Sequence, residues 1–520
     1  MPRLLPLLGW LAFTPLAAAQ SPTLTSPVNL GAKPGAAVEL TLTGTNLLDA
    51  TAVHLSLPAK VTVPPGQTDP AKLKVKVELP ADAAVGTHLV RVVTKAGVSN
   101  LRPLCVDELP EVAEVADNRS PGKAQPVTGA CVVVGKADAD AADFFRVPVK
   151  AGVPVTFEVL ARRLGSPLDP LLILRDADGK ELGGQYADDT PGLQSDARLT
   201  HTPAKDGDVI VELRDSTYKS GEFRLRVGNF PGATTAFPLA VERGKSTPVG
   251  FAGPDAVGAK PVTVSVADPL ASAVTVAPKR VGGVSGWPVA VRVSDCPEAV
   301  EQEPNDTPAT ANKLPVPGGV SAKFEGKQDV DHFAFPGKKG QKLVVAALTT
   351  EVNSPAEVYV RVLDSSGKEL AKSDPTKPGT RVEFTPAADG DYVAACEHVN
   401  YLTGPTEVYH LSVRPAAPDF AVTLGSDRAD VPAGAVGVVS VTGVSRLNGF
   451  TAPVELSVVG ADGIAGTLTI PPGANPTTAA PLFLPVTAKA GTKPGAYPVR
   501  VKAAAKDLVR PAEFPDALRA

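Results

Sequence analysis

The sequence predicts an all-β protein, a tandem array of β-sandwich domains, and three observations predict it. Its 520 residues hold 53 prolines and 47 glycines against one methionine, a balance that breaks long helices and supplies turns. Short runs alternate apolar and polar residues at a period of two, as in Leu73-Lys74-Val75-Lys76-Val77-Glu78-Leu79. That is the signature of a strand with one buried face. The chain is also too long for one core, so several domains of roughly 60–130 residues are expected.

Residues 1–19 read as an export signal. Arg3 supplies the positive start, Leu4–Leu16 the apolar stretch, and Ala17-Ala18-Ala19 before Gln20 the small-residue cleavage site. No later stretch approaches the roughly 18 apolar residues of a membrane span. The expectation is an exported chain in the periplasm, cell envelope or extracellular space, with no transmembrane span after signal removal. A formal charge of −4 and the lack of any basic stripe argue against a nucleic-acid partner.

Residues 20–107 read as a sandwich. Val38, Leu40 and Leu42 alternate with Glu39, Thr41 and Thr43 before the turn Gly44-Thr45-Asn46, and Gly86–Val92 reads as its final edge strand. Residues 233–297 form a small β domain with Val262, Val264 and Val266 on one face of a strand and Val289, Val291 and Val293 on another. At about 65 residues it is minimal and should lean on its neighbours, with Trp287 anchoring the contact. Residues 416–510 read as a last sandwich containing Val436–Val441 and Val454–Val458. It should close with Gly495–Val501, an echo of Gly86–Val92 and Gly286–Val293, and 511–520 follow as a tail.

The remaining segments, 108–232 and 298–415, are two copies of one module. Asp143-Phe144-Phe145 recurs 188 residues on as Asp331-His332-Phe333, and Lys150-Ala151-Gly152 as Lys338-Lys339-Gly340. Ser166-Pro167 recurs as Ser354-Pro355, and Asp176-x-x-Gly179-Lys180-Glu181-Leu182 as Asp364-x-x-Gly367-Lys368-Glu369-Leu370. Thr202-Pro203-Ala204 and Asp206-Gly207-Asp208 recur 183 residues on, so one loop shortened by five residues while the rest kept register. Most of these residues describe turns and corners.

The second copy opens with Glu301-Gln302-Glu303-Pro304-Asn305-Asp306 and continues to Asp329-Val330-Asp331-His332-Phe333. So many hard oxygen donors in a short, proline-stiffened segment would repel one another unless a cation sat among them. This Glu-Pro-Asn-Asp segment, the later Asp-x-Asp-x-Phe and the strand pattern together resemble the bacterial pre-peptidase C-terminal (PPC) domain. That family is a small jelly-roll-like sandwich appended to secreted proteases and other exported proteins. The resemblance covers roughly 298–415 and implies calcium held between the linker and the sandwich by Glu301, Glu303, Asn305, Asp306, Asp329 and Asp331. The first copy lacks the Glu-Pro-Asn-Asp spacing. Its donors would be Glu114, Asp117, Asn118, Asp140 and Asp143, with a weaker claim on metal. The run Val38–Leu47 is similar to the start of IPT/TIG-type immunoglobulin-like (Ig-like) domains, which implies an Ig-like sandwich at 20–107, and 416–510 reads as another Ig-like sandwich.

Cys105, Cys131, Cys296 and Cys396 stand in no zinc spacing. Export permits disulfides, in any of three pairings, and buried free thiols fit equally. No catalytic motif emerges: the six histidines are scattered, and there is no His-Glu-x-x-His, Gly-x-Ser-x-Gly or phosphate loop. Asp331 and His332 are adjacent on a strand and so face opposite ways. The expectation is a non-catalytic binding or adhesion protein for an extracellular polymer or protein. Its alternatives are a structural spacer of the cell envelope or an accessory subunit of a secreted protease. Tyr359, Tyr392, Tyr401 and Tyr409 make the second copy aromatic-rich and favour binding.

Overall fold

The computed structural model of the chain describes residues 20–25, 30–374, 379–432 and 434–514. The expected export signal and the end of the tail, 515–520, lie outside the described residues. Helix among the described residues is confined to single turns such as Pro121–Lys123, Arg162–Leu164 and Thr350–Val352. None is long and apolar enough to cross a membrane. The strands form a tandem array of β-sandwiches.

The two copies have the same strand order. In the first, one sheet runs Glu111–Ala113, Cys131–Ala137, Gly221–Gly228, Val155–Leu160, Arg198–His201. The facing sheet runs Gln125–Pro126, Asp143–Val149, Gly207–Asp215, Pro170–Arg175, Glu181–Ala187. In the second copy the corresponding orders are Glu298–Val300, Gly318–Lys323, Val408–Pro415, Leu343–Leu348, Thr380–Phe384 and Asn312–Lys313, Val330–Gly337, Gly390–His398, Val358–Leu363, Glu369–Lys372. Each core fills from alternate positions of both sheets, with Phe145, Phe157 and Phe223 in the first and Phe324, Phe333 and Tyr409 in the second.

Gly86–Thr94 is neither final nor at an edge. It lies between Ala50–Leu55 and Arg102–Val106, because the apolar run Leu104-Cys105-Val106 supplies one more buried strand. At the other end of the chain, the expected closing strand is displaced to Arg500–Ala505. A further strand, Leu508–Glu513, follows a turn in which Lys506 adopts a positive φ. It enters the segment read as tail, and its pairing with Asp419–Leu424 completes one eight-stranded sheet. That sheet folds over a single core in which Val441 and Leu484 of one half meet Leu456 and Ala503 of the other.

Residues 235–294 make two three-stranded sheets. Trp287 is buried here against Cys105, Leu160 and Leu164, residues of two neighbouring units. All four cysteines are free thiols and buried.

The Pro-rich linkers suggest an elongated string of units, and the structure overturns that expectation. Asp107, at the first linker, is buried under Arg226, and its neighbour Glu108 accepts from the Ser285 amide and Lys279. Leu239 donates its amide to Ser321 Oγ across the next junction. The first sandwich also touches the last: Arg91 Nη2 donates to Asp427 Oδ2 at 2.8 Å, and Val98 N to Asp430 Oδ1 at 3.1 Å. An Asp427→Ala variant is therefore expected to leave every unit folded while enlarging the particle, since Arg91 and Asp427 are both largely screened from water. Small-angle scattering reads the change, and an unaltered radius of gyration would show that other contacts suffice.

Candidate metal centre

The linker of the second copy straddles the two sheets. Glu298–Val300 runs parallel to Gly319–Ser321 at the edge of one sheet, and Asn312–Lys313 runs parallel to Phe333–Ala334 in the other. Between these anchors the chain crosses the open end of the sandwich. Glu301 leaves the first sheet with its amide on Ser321 O, and its Oε1 accepts from Lys323 N at 2.6 Å. Asn305 arrives at the second sheet, where its carbonyl accepts from His332 N at 3.0 Å. Asn305 N donates to Glu303 Oε2 at 2.8 Å, which turns that carboxylate inward.

Asp331 comes up from the sandwich floor. It is fully buried, and its Oδ2 accepts from Tyr409 Oη at 2.5 Å. Carboxylate oxygens of Glu301, Glu303 and Asp331 lie within 4.8 Å of one another. Glu301 Oε2, Asp331 Oδ1 and both side-chain atoms of the fully buried Asn305 have no hydrogen-bond partner. Buried polar atoms are rarely left unmatched, and three of these four are oxygens in one crossing that a single cation could partner. Burial, and then the charge of Glu303, pushes Glu301 up to about 8. Burial followed by the Glu301 charge pushes Asp331 up to about 9. Without a cation, protons must take its place.

The six expected ligands therefore separate. Glu301, Glu303 and Asp331 converge, and the buried, unpartnered side chain of Asn305 lies on the same crossing. Asp329 lies near enough to raise both neighbours, but its Oδ2 is engaged by the amides of Glu325 and Gly326, where it ties a turn. Asp306 is exposed and stands outside the cluster. His332 turns away from Asp331, with Nδ1 on Val330 O.

In the first copy the crossing is the same and the chemistry differs. Glu114 N donates to Val134 O, Glu114 Oε2 accepts from Lys136 N at 2.8 Å, and Asn118 O accepts from Phe144 N. These match Glu301, Lys323, Asn305 and His332 one for one. Gln125 likewise matches Asn312, each taking the amide of the residue after the linker glutamate, Val115 or Gln302. Asp143 is fully buried as Asp331 is. Of the other expected donors, Asp117 is exposed and paired with Lys123, and Asp140 is exposed at a turn with positive φ. The equivalence hid behind one residue of slip: Glu114-x3-Asn118-x6-Gln125 recurs 187 residues on, the strand aspartate 188.

A second acidic group, Asp169, Asp188 and Asp189, was not apparent in the sequence. Two of its members are exposed and the third accepts from Ser216 Oγ.

The raised carboxyls set a pH dependence. Folded pKa values above the ordinary carboxylate range mean that the metal-free folded state binds more protons than the unfolded state. The contribution of these two carboxyls should be fully present below about pH 4 and be lost as pH rises toward about 8–9. Thermal unfolding in chelator from pH 5 to 9 checks this, and a rising profile would contradict the buried cluster.

No family model matches the chain, and neither does any curated protein. Several solved structures are similar to parts of it. The PPC domain of a Bacillus anthracis collagenase is 16% identical with a TM-score of 0.17, over 22% of this chain and 99% of that one. A Bacteroides ovatus mixed-linkage glucan utilisation protein, solved with a heptasaccharide, is 11% identical with a TM-score of 0.16, over 75% and 74%. The secreted serine protease VesC of Vibrio cholerae is 13% identical with a TM-score of 0.14, over 40% and 50%. At these identities and scores none carries an argument about function, which rests on the chain's own residues.

Proposed function

We propose that the chain is an exported, non-catalytic β-sandwich protein that binds an extracellular polymer or protein, and that calcium fastens the linker of its second, PPC-like copy. The observation that carries the calcium reading is the convergence of Glu301, Glu303 and Asp331 on the crossing that also holds Asn305, with buried oxygens left unpartnered. Carboxylate and amide oxygens are the donors a hard cation takes, and calcium accepts six to eight of them with main-chain and water oxygens making up the number. Its role here is structural: it would neutralise the carboxylates and join the linker to the sandwich.

Of the tyrosines expected to favour binding, Tyr401 alone is well exposed. Tyr409 and Tyr392 are core residues and Tyr359 is half-buried. Tyr186, Tyr218 and Tyr401, by contrast, expose 64%, 52% and 58% of their surface, all on the two repeated units. Aromatic faces in solvent are what a polymer or protein partner would cover. A structural role in the envelope is the second reading, favoured by the clasp of Arg91 on Asp427 that closes the first unit onto the last.

The test is co-sedimentation of the chain with insoluble collagen, chitin, cellulose and peptidoglycan, with calcium and with chelator. Retention on one polymer that is weakened in a Tyr186→Ala, Tyr218→Ala, Tyr401→Ala variant supports binding. Retention on none of them supports the structural role.

A further inference from the structure

In the first copy, position for position, the linker differs from its partner at the residues that would hold the ion. Ala116 stands where the second copy has Glu303, and Arg119 stands where it has Asp306. The Arg119 side chain folds back into the crossing, bonds Asp143 through Nη1, and bonds Asp138 Oδ2 through Nη2 at 2.8 Å. Asn118 Nδ2 closes the arrangement on Glu114 Oε1 at 3.4 Å.

We infer that Arg119 is a built-in replacement for the ion, so that the linker of the first copy is locked by a guanidinium and calcium acts on only one of the two copies. Formal charge is consistent with the exchange. The second crossing gathers the three carboxylates of Glu301, Glu303 and Asp331. The first also gathers three, Glu114, Asp138 and Asp143, and places the Arg119 guanidinium between two of them. A guanidinium also cannot lose its charge under ordinary conditions and cannot be chelated away. Burial still raises Asp143, to about 8, and Arg119 opposes that rise. A guanidinium also stands at the start of the first linker, where Glu111 pairs with Arg224 while Glu298 pairs with His410 in the second copy.

The comparison rests on the calcium reading of the second copy, but the decisive measurement does not. It is hydrogen exchange by mass spectrometry on the full chain in chelator. The amides of Glu114 and Val115 should be protected in the parent chain. They should exchange at least about tenfold faster in Arg119→Gln, with Arg119→Lys in between, because a charge-assisted bidentate anchor is lost. In an Ala116→Glu, Arg119→Asp variant, which rebuilds the second copy's pattern, protection should return only when calcium is added. Unchanged exchange in Arg119→Gln would overturn the inference, as would calcium slowing the parent's 113–119 segment as much as its 300–306 segment. Should Arg119→Gln fail to fold, the calcium-dependent rescue of the rebuilt variant decides the matter. A parent chain whose 300–306 segment ignores calcium would overturn the proposed function and the calcium half of the inference, while the Arg119→Gln result in chelator would still decide the lock by Arg119.

Discussion

Replacement of Arg226 by methionine is expected to lower the stability of the chain by about 3–5 kcal/mol, the usual cost of stranding a buried charge partner. Arg226 is fully buried on the outer face of the first copy. It holds Asp107 of the preceding unit with two bonds, at 2.7 and 3.2 Å, and donates to Glu158 at 3.3 Å. It also donates to Ser285 O at 2.8 Å in the small middle unit, and lies over the rings of Phe230 and Trp287. One side chain thus joins three units. The burial that makes a lone charge costly also makes this paired one a firm joint. Glu158 keeps Arg163 as a second partner at 3.1 Å, so Asp107 suffers most from the loss. A double variant, Arg226→Met with Asp107→Leu, should recover a large part of the stability because no orphaned charge remains. Equilibrium unfolding of the three chains gives the comparison. A single variant as stable as the parent would show that the joint is open to water.

Calcium should raise the unfolding temperature of the second copy, with a gain of about 2.7 kcal/mol when its concentration is a hundredfold above the dissociation constant. Extracellular modules bind at about 10⁻⁴–10⁻³ M, so tens of millimolar are needed for the full effect. Asp331→Asn is the informative variant, because its sign depends on the ion. In chelator it removes a buried carboxyl that burial and Glu301 already resist ionising, and should stabilise the chain. In calcium it removes a ligand and should abolish most of the gain. Tyr409 retains an oxygen to bond in either case, so the core beneath is preserved. Scanning calorimetry of the full chain in both conditions reads the two signs. A variant with an undiminished calcium response would end the calcium assignment.

Much of the architecture was written in local pattern. Leu73, Val75 and Val77 announce a half-buried strand because side chains alternate, and they are fully buried in a sheet interior. The repeat was visible because turns tolerate few residues. Side-chain direction in the linker was not legible. It depends on anchors later in the chain, Ser321 in one sheet and His332 in the other, so Asp306 and Asp329 were grouped with ligands that the fold sets apart. Arg119 was passed over because a cation in an acidic stretch reads as a solvated neighbour, and only the crossing shows it turned inward. Arg224 and Arg226 alternate with Leu225 as water-facing residues would, yet both are buried where a neighbouring unit covers the sheet. Tyr392 and Tyr409 were counted in favour of binding, yet each lies in the hydrophobic core of the second copy.

The bond from Arg91 to Asp427 also orders events in time. The two residues are separated by 336 positions. A ribosome adding about 5–20 residues per second needs about 17–67 s to travel between them. The first sandwich can fold early, since its strands are local, but the patch around Arg91, Gly97 and Val98 has no cover until nearly the whole chain has been made. Closure is therefore the final act of assembly. During that interval Arg91 keeps its bond to Ser99 O within the first sandwich, and the bonds to Asp427 and Asp430 form only when the last sandwich arrives.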